Sequence, residues 1–269
     1  MKQISDFYAM KSNREPIVML TAYDYFSGQM AEQSQVDIIL VGDSLGNVIQ
    51  GEGTTIGVTV NQIVYHSKAT RKGAPNTFII ADMPYMSYHV SSEQTKQNAA
   101  KIMINSKVNA VKLEGGGESR IESIKALVDC EIPVCGHLGL TPQSINMLGD
   151  FKVQAKDEIH QEILLVQAKD IEMAGAFMLV LECVPEALGE LVADSLHIPV
   201  IGIGAGRFTD GQVMVWHDIL GMSDHLPKFV KKYVDLKQIV NQNVSYYIED
   251  VKKGSFPEKA NVYYPIKNK

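Results

Sequence analysis

The sequence predicts a single-domain α/β protein whose parallel strands close into a (β/α)8 TIM barrel over residues 1–269, with short extensions at both termini. Three observations support this prediction. Short runs of Val, Ile and Leu recur along the chain, as in strands buried on both faces. Longer stretches with helical periodicity separate these runs. Seven or eight such units in about 250 residues are typical of this barrel. The alternative, a doubly wound open sheet, would have fewer strands for this length.

The apolar runs define the predicted strands, and the last run is the weakest. In chain order they are IVMLTAY (17–23), DIILVGD (37–43), TFIIAD (77–82), AVKLEG (110–115), IPVCGHLG (132–139), FMLVLEC (177–183), IPVIGIGAG (198–206) and QVMVWHD (212–218).

Capping signals mark several of the helices between these strands. Residues 59–62 and 91–94 match the capping box, in which a Ser or Thr is followed three residues later by Glu or Gln. Thr141 followed by Pro142 predicts another helix start, because proline favours the first helical position. Helical patterns also cover residues 121–129, 161–174 and 185–195.

Composition narrows the class of protein. The chain is 45% hydrophobic with a net charge of −6, and it has no Lys/Arg-rich stripe, so neither nucleic acid nor an anionic membrane is an expected partner. No apolar run is long enough to span a bilayer, and the first residues do not resemble a secretory signal.

Cys130, Cys135 and Cys183 lack metal-type spacing. Cys135 and Cys183 lie inside strand-like runs and are interpreted as buried reduced thiols, which predicts a cytoplasmic protein.

Three carboxylates lie at or near the ends of the second, third and fourth predicted strands, namely Asp43, Asp82 and Glu114. In a barrel these ends meet at one mouth, where active sites lie. Carboxylates on adjacent strands repel one another unless a cation or protons intervene. Oxygen ligands without thiolates favour Mg²⁺. The alternative is that these residues cap helices or form turns.

Lys112 lies two residues before Glu114 in one strand, so both side chains face the packed interior of the barrel. Lysine is rarely left unpaired in such a place. It is therefore expected either to bind an anionic substrate or to form an ion pair in the core.

Glu182 ends the sixth strand and His137 lies near the end of the fifth. A carboxylate in apolar surroundings, across the barrel from the metal strands, suits a general base. A charged residue at the start of a loop is the alternative interpretation. His137 is expected to contact the substrate, although a structural role is equally compatible with its position.

Several strings together carry a family resemblance. MLTAYDY, LVGDSLGNVIQG, YHSKATRKGAPN, ADMPYMSY, VKLEGG, PVCGHLGLTPQS, LVLECVP and IPVIGIGAG followed by TDGQ resemble the ketopantoate hydroxymethyltransferase family over residues 5–255. The resemblance implies a TIM barrel related to the phosphoenolpyruvate mutase and isocitrate lyase group. It also implies Mg²⁺, 5,10-methylenetetrahydrofolate as co-substrate, and a homo-oligomer, typically a decamer.

Carried over by position, the resemblance implies roles for individual residues. The metal ligands are Asp43, Asp82 and Glu114, the ketoacid-binding residues are Asp43, Ser44, Asp82 and Lys112, and the proton acceptor is Glu182. The chain departs from the family pattern at Asp150 and Ala155, where glycines are expected, and at Arg207 in a variable loop. None of these three carries an implied role.

The chemistry suits these residues. A 2-oxo acid can chelate Mg²⁺, which stabilises the enolate formed when the C3 proton leaves. Lys112 would neutralise the carboxylate or the enolate oxygen, Ser44 would add a hydrogen bond, and Glu182 would take the proton. Two alternatives remain at this point. One is another Mg²⁺-dependent 2-oxo acid aldolase or C–C lyase of the same fold, which needs no folate. The other is a catalytically silent barrel.

Overall fold

A computed structural model describes residues 1–150 and 152–265. Within them, parallel strands form a closed barrel in sequence order, and the last strand pairs with the first. The strands are β1 (Ile17–Thr21), β2 (Ile38–Val41), β3 (Phe78–Asp82), β4 (Ala110–Glu114), β5 (Val134–Gly139), β6 (Met178–Glu182), β7 (Val200–Ile203) and β8 (Gly211–Met214). The prediction of a (β/α)8 barrel is confirmed, with strands somewhat shorter than the apolar runs.

Helices alternate with the strands. They are α1 (Ile4–Ser12), α2 (Tyr25–Gln33), α3 (Leu45–Val48), α4 (Val60–Gly73), α5 (Ser92–Ser106), α6 (Glu118–Val128), α7 (Ile145–Leu148), α8 (Glu158–Met173), α9 (Glu186–Ser195), α10 (Trp216–Ile219) and α11 (Leu236–Lys253). Short 3₁₀ turns cover Pro142–Ser144 and Lys259–Asn261.

The predicted helix starts differ in how they are capped. Thr59 forms the full capping box with Gln62 before α4. Before α5, the Ser91 side chain accepts from the Gln94 N–H, but Gln94 Oε1 has no hydrogen-bond partner, so only half of that box forms. Thr141 precedes a 3₁₀ turn and makes no side-chain cap.

Strand alternation divides the core into two layers. Ile38 and Leu40 of β2 pack inside the barrel, whereas Ile39 and Val41 pack outward among the helices. Phe7 of α1 also packs with the inner cluster. The inner layer follows from the two-residue period of a strand, which sends alternate side chains to opposite faces. The same period decides which polar side chains point inward at the barrel mouth.

The chain forms two compact units. Among the described residues, the first comprises those of 1–216 and 227–230 and includes the whole barrel; the second comprises those of 217–226 and 231–265. The second unit contains α11, whose first turn is capped by the Asp235 side chain. A single domain with short extensions remains a prediction. None of the helices in the described part of the chain has the length and hydropathy needed to span a bilayer.

Candidate active site

Five polar side chains occupy inward-facing positions near the carboxyl ends of β3 to β6. They are Asp82, Lys112, Glu114, His137 and Glu182. Each lies two or four residues after an apolar residue that packs inside the barrel, so strand alternation turns them the same way. The register aligns Asp82 with Lys112 and Glu114 with His137. These strand ends therefore bring the predicted site residues of four neighbouring strands together.

Asp43 joins this group from the turn after β2. Its backbone N–H donates to Asp82 Oδ2 at 3.0 Å, and its side chain is only 4% exposed. Gly42 permits this approach, because an added Cβ would lie 2.9 Å from Ser44 Oγ and 3.3 Å from Asp82 Oδ2. Ser44, the next residue, is half-buried, and its Oγ lies 2.8 Å from the Tyr23 hydroxyl oxygen. The turn thus places a carboxylate and a hydroxyl beside Asp82.

Lys112 is the buried cation among these carboxylates. Its Nζ lies 3.1 Å from Asp82 Oδ1 and 3.8 Å from Glu114 Oε1. Burial lowers the pKa of Lys112, but the attraction of Asp82, Glu114 and Asp43 outweighs burial and leaves that pKa raised. The lysine is therefore charged at neutral pH. The expected ion pair in the core is present, and it lies within the site.

The carboxylates are not fully neutralised by this lysine. Burial raises the pKa of Asp43 well above its ordinary value, and repulsion from Glu114 and Asp82 raises it further. Burial alone would also raise the pKa of Glu114, but the contacts with His137 and Lys112 lower it overall. Negative charge is thus crowded on the Asp43 side of the site.

His137 connects the buried carboxylates to Glu182. Its Nδ1 lies 3.3 Å from Glu114 Oε1, and its Nε2 lies 3.2 Å from Glu182 Oε2. Burial and Lys112 lower the pKa of His137, but the contacts with Glu114 and Glu182 outweigh both and raise it to about 9. Sequence analysis placed Glu182 across the barrel from the metal strands. In the structure one imidazole links it to Glu114.

The backbone around Glu182 is tightly constrained. Gly139 has a φ of +90°, and a Cβ there would lie 2.1 Å from the Glu182 carbonyl oxygen. That oxygen accepts a hydrogen bond from the Leu140 N–H at 2.8 Å. Cys183 follows with a φ of 49°, which is unusual for a residue other than glycine. The Glu182 side chain is 15% exposed, compared with 3% for Glu114, so Glu182 lies on the accessible side of the group.

Two further residues, which sequence analysis did not identify, hold the carboxylates in place. Gln143 donates through Nε2 to Asp43 Oδ2 at 2.9 Å and through its backbone N–H to Glu114 Oε2 at 3.0 Å. The Tyr88 hydroxyl donates to Gln143 Oε1 at 2.7 Å. In the sequence, only their positions could have indicated this role, because both residues lie in loops that follow strands at the barrel mouth.

The donor chemistry of this site fits a hard divalent cation. Asp82 Oδ1 and Glu114 Oε1 are buried and make no hydrogen bond, although they lie within ion-pair distance of Lys112 and His137 respectively. Repulsion among Asp43, Asp82 and Glu114 persists beside these two positive groups. Oxygen donors of this kind suit Mg²⁺. Across residues 1–150 and 152–265, however, no three Asp, Glu, His or Cys side chains are already arranged to hold a metal ion. A cation would have to draw the carboxylates closer together.

The loop that departs from the family pattern is attached beside Glu182. The Gln154 N–H donates to the Cys183 carbonyl oxygen at 2.7 Å. Ala155, where glycine is expected, has a φ of 49°. This left-handed conformation favours glycine, and alanine adopts it at a cost of about 1–2 kcal/mol. The expectation of glycine at position 155 therefore has a physical basis.

Comparison with known proteins assigns the chain to a family. The model of the ketopantoate hydroxymethyltransferase family matches residues 1–259. The 3-methyl-2-oxobutanoate hydroxymethyltransferase of Geobacillus thermodenitrificans is 54% identical over 264 residues, which cover 98% of this chain and 94% of that protein. The enzyme of the same name from Bacillus subtilis is 53% identical over 264 residues, with coverages of 98% and 95%.

Solved structures with low sequence identity share the fold. Phosphonopyruvate hydrolase in complex with oxalate and Mg²⁺ has a TM-score of 0.65 at 10% identity, covering 99% of this chain and 93% of that one. 2,3-Dimethylmalate lyase, of the PEP mutase/isocitrate lyase superfamily, has a TM-score of 0.60 at 14% identity, with coverages of 97% and 92%. Because the family match spans nearly the whole sequence, the chain belongs to the ketopantoate hydroxymethyltransferase family.

Proposed function

We propose how the buried carboxylate site carries out the reaction of this family. The chain is a hydroxymethyltransferase of pantothenate biosynthesis. It transfers a hydroxymethyl group from 5,10-methylenetetrahydrofolate to 3-methyl-2-oxobutanoate, giving 2-dehydropantoate and tetrahydrofolate. The observation that carries the proposed mechanism is the contact of His137 with both Glu114 and Glu182, which joins a charged site to an accessible carboxylate.

The metal is Mg²⁺, held by Asp43, Asp82 and Glu114. Two buried carboxylate oxygens that make no hydrogen bond, and the repulsion among the three carboxylates, support this assignment. When bound, Mg²⁺ would supply a Lewis acid that stabilises negative charge on the ketone oxygen. Phosphonopyruvate hydrolase, which shares the fold, has been solved with oxalate and Mg²⁺, and this is compatible with the same kind of site.

Lys112 and Ser44 bind the ketoacid, together with Asp43 and Asp82. The raised pKa of Lys112 keeps its ammonium charged, so it can attract the substrate carboxylate and the oxygen that becomes negative during enolisation. The Ser44 hydroxyl can donate a hydrogen bond to the same substrate while Tyr23 fixes its position. His137 contributes a further positive charge beside the substrate.

Glu182 is the general base that removes the C3 proton of 3-methyl-2-oxobutanoate. It is the most accessible carboxylate among the inward-facing strand residues of the group, and His137 orients it through the Nε2 contact. A carboxylate oriented in this way can accept a proton from the substrate. The resulting nucleophilic C3 then attacks the methylene carbon of the folate. Both bonds from that carbon to folate nitrogens break, water supplies the hydroxyl group, and the protons from C3 and water go to the nitrogens of tetrahydrofolate.

The test of this function is product formation by the purified chain. We expect 2-dehydropantoate only when 3-methyl-2-oxobutanoate, Mg²⁺ and 5,10-methylenetetrahydrofolate are all present. Asp82→Ala should abolish turnover while the fold survives, and Asp194→Ala, on the exposed face of α9, should leave turnover unchanged. Metal-dependent C–C cleavage or condensation without folate would instead favour the aldolase or lyase alternative. Full turnover by Asp82→Ala would refute the metal assignment.

The proposal also covers assembly and location. The chain forms a homo-oligomer, for which the family resemblance implies a decamer, and it acts on small molecules in the cytoplasm. Exposed apolar side chains on α11, including Val244, Tyr247 and Val251, are typical of surfaces that associate. The free thiols of the chain are compatible with a reducing compartment. Light scattering that gives only the 29.7 kDa monomer would refute the oligomer.

A further inference from the structure

We infer that Gln143, oriented by Tyr88, is a positioning residue that sets the spacing of the metal carboxylates and thereby the affinity of the site for its cation. This inference rests on the proposed metal site. Gln143 is 3% exposed and lies in the loop after β5, whereas Asp43 follows β2 and Glu114 ends β4. One residue therefore holds carboxylates from two non-adjacent strands.

Gln143 holds these two carboxylates through separate donors. The side-chain Nε2 donates to Asp43 Oδ2 at 2.9 Å, and the backbone N–H donates to Glu114 Oε2 at 3.0 Å. Without such donors, like charges in a buried site repel and move apart. Gln143 engages one oxygen of each carboxylate. On Glu114 it leaves Oε1, a buried oxygen that makes no hydrogen bond and lies 3.3 Å from His137 Nδ1.

The side-chain amide of Gln143 has one favourable orientation. Its second Nε2 hydrogen is directed to the Met83 carbonyl oxygen at 3.0 Å, and its Oε1 accepts from the Tyr88 hydroxyl at 2.7 Å. If the amide were flipped, Oε1 would face both the Asp43 carboxylate and the Met83 carbonyl, which are acceptors. The groups around the amide therefore favour the orientation in which Nε2 of Gln143 faces Asp43 and Met83.

Tyr88 is the second part of this arrangement. Its hydroxyl donates to Gln143 and also accepts from the Glu114 N–H at 3.2 Å, so it contacts both Gln143 and a residue that Gln143 holds. The ring packs against His89 with centroids 4.2 Å apart, and the Arg120 guanidinium lies 5.0 Å from its centroid. Because the ring is held independently of the hydroxyl, Tyr88→Phe removes the hydrogen bonds and retains the packing.

The test measures metal binding directly, with Mn²⁺ titrated into the metal-free full-length protein and free Mn²⁺ followed by EPR. Gln143→Met keeps the size of the side chain and the backbone N–H that donates to Glu114, but removes the Nε2 donor to Asp43 and Met83. We expect about 10- to 100-fold weaker binding, the usual effect of losing a group that orients a metal ligand. Tyr88→Phe removes the hydroxyl bonds to Gln143 and to the Glu114 N–H, and it should weaken binding about 3- to 10-fold, because the Gln143 donors themselves remain. Gln97→Met and Tyr263→Phe, at exposed positions away from these residues, are matched controls and should bind as wild type.

Three comparisons distinguish a positioning role from a general loss of folded structure. The double variant should lose less affinity than the product of the two single losses, because the hydroxyl acts through the amide. At saturating Mg²⁺, kcat should return to within a few-fold of wild type while the activation constant for Mg²⁺ stays raised. Far-UV CD and thermal unfolding establish that each variant is folded.

The outcomes distinguish this inference from the proposed function. If wild type binds Mn²⁺, Asp82→Ala loses it, and both Gln143→Met and Tyr88→Phe bind like wild type, the positioning role is overturned and the metal site stands. A loss of kcat that saturating Mg²⁺ does not restore also overturns the positioning role. If wild type itself binds no metal, both the site and this inference are overturned.

Discussion

Lys112 Nζ lies 3.1 Å from Asp82 Oδ1, and the two residues face each other in register on adjacent strands of the barrel. Both side chains are almost completely buried. The pair brings a permanent positive charge next to a group of carboxylates whose own repulsion would otherwise open the site. Lys112 is thus important both for the fold of the barrel mouth and for the proposed recognition of an anionic substrate.

Lys112→Met should reduce the free energy of unfolding by about 3–5 kcal/mol, the usual cost of removing one partner of a buried ion pair. Added Mg²⁺ should recover part of this loss, because the cation binds the folded site and supplies positive charge. Denaturant titration at fixed protein concentration, with and without Mg²⁺, measures both effects. Lys125→Met, at an exposed position on α6, is the control. Equal stability of Lys112→Met and the control would contradict the role of the pair.

Glu182→Gln should bind 3-methyl-2-oxobutanoate and Mg²⁺ but fail to remove the C3 proton. The amide keeps the shape of the side chain and cannot accept the proton. Exchange of the C3 hydrogen with deuterium in D₂O, followed by NMR without folate, should slow about 10²- to 10⁴-fold. Glu190→Gln, on the exposed face of α9, should exchange at the wild-type rate. If Glu182→Gln also exchanges at that rate, His137 becomes the next residue to test as the base.

The stability contributed by His137 should depend on pH. Its pKa in the folded protein, about 9, lies above the ordinary value of 6.5, so its stabilising effect is complete below about pH 6.5. The effect is lost as the pH rises through 9, where the folded imidazolium deprotonates. Without added metal, the difference in free energy of unfolding between wild type and His137→Gln should therefore shrink across this window. A difference that is constant with pH would show that folding does not shift the pKa of His137. His197→Gln, at an exposed position, is the control.

Gly139→Ala should impair catalysis by displacing Glu182. The new Cβ would lie 2.1 Å from the Glu182 carbonyl oxygen, at a φ of +90° that alanine rarely adopts, so the backbone must move. A displacement of about 1 Å at a catalytic group can cost on the order of 10²-fold in rate. Steady-state kcat measures this loss. Gly117→Ala is the matched control, because its Cβ would meet no atom within 4 Å and its φ is −73°. Equal kcat values for the two variants would contradict the proposed constraint.

Much of the site could be predicted from local pattern. Two-residue strand periodicity places Lys112 and Glu114 on the same inward face, and the tendency of barrel strands to end at one mouth brings Asp82 beside them. Both predictions follow from the sequence pattern without any knowledge of interatomic distances. The departure at Ala155 was visible from the family pattern, and the structure gives this residue the left-handed conformation that favours glycine.

Other features depend on how distant loops meet. Nothing in the local sequence of Gln143 distinguishes it from a solvated turn residue, yet it contacts groups that follow β2, β3 and β4. Likewise, His137 could be placed on its strand, but not paired simultaneously with Glu114 and Glu182. Such contacts depend on the curvature of the closed barrel and on loop conformations.

The sequence by itself therefore determined the strand order, the inward set of polar residues and the end of the barrel where they lie, because these follow from periodicities of a few residues. Only the tertiary structure decided which oxygen faces which donor, that Glu182 is connected to the carboxylates through one imidazole, and that Gln143 and Tyr88 hold those carboxylates. The physical reason is that hydrogen bonds and ion pairs require positions accurate to a few tenths of an ångström. Residues far apart in the chain reach that accuracy only when the barrel has closed.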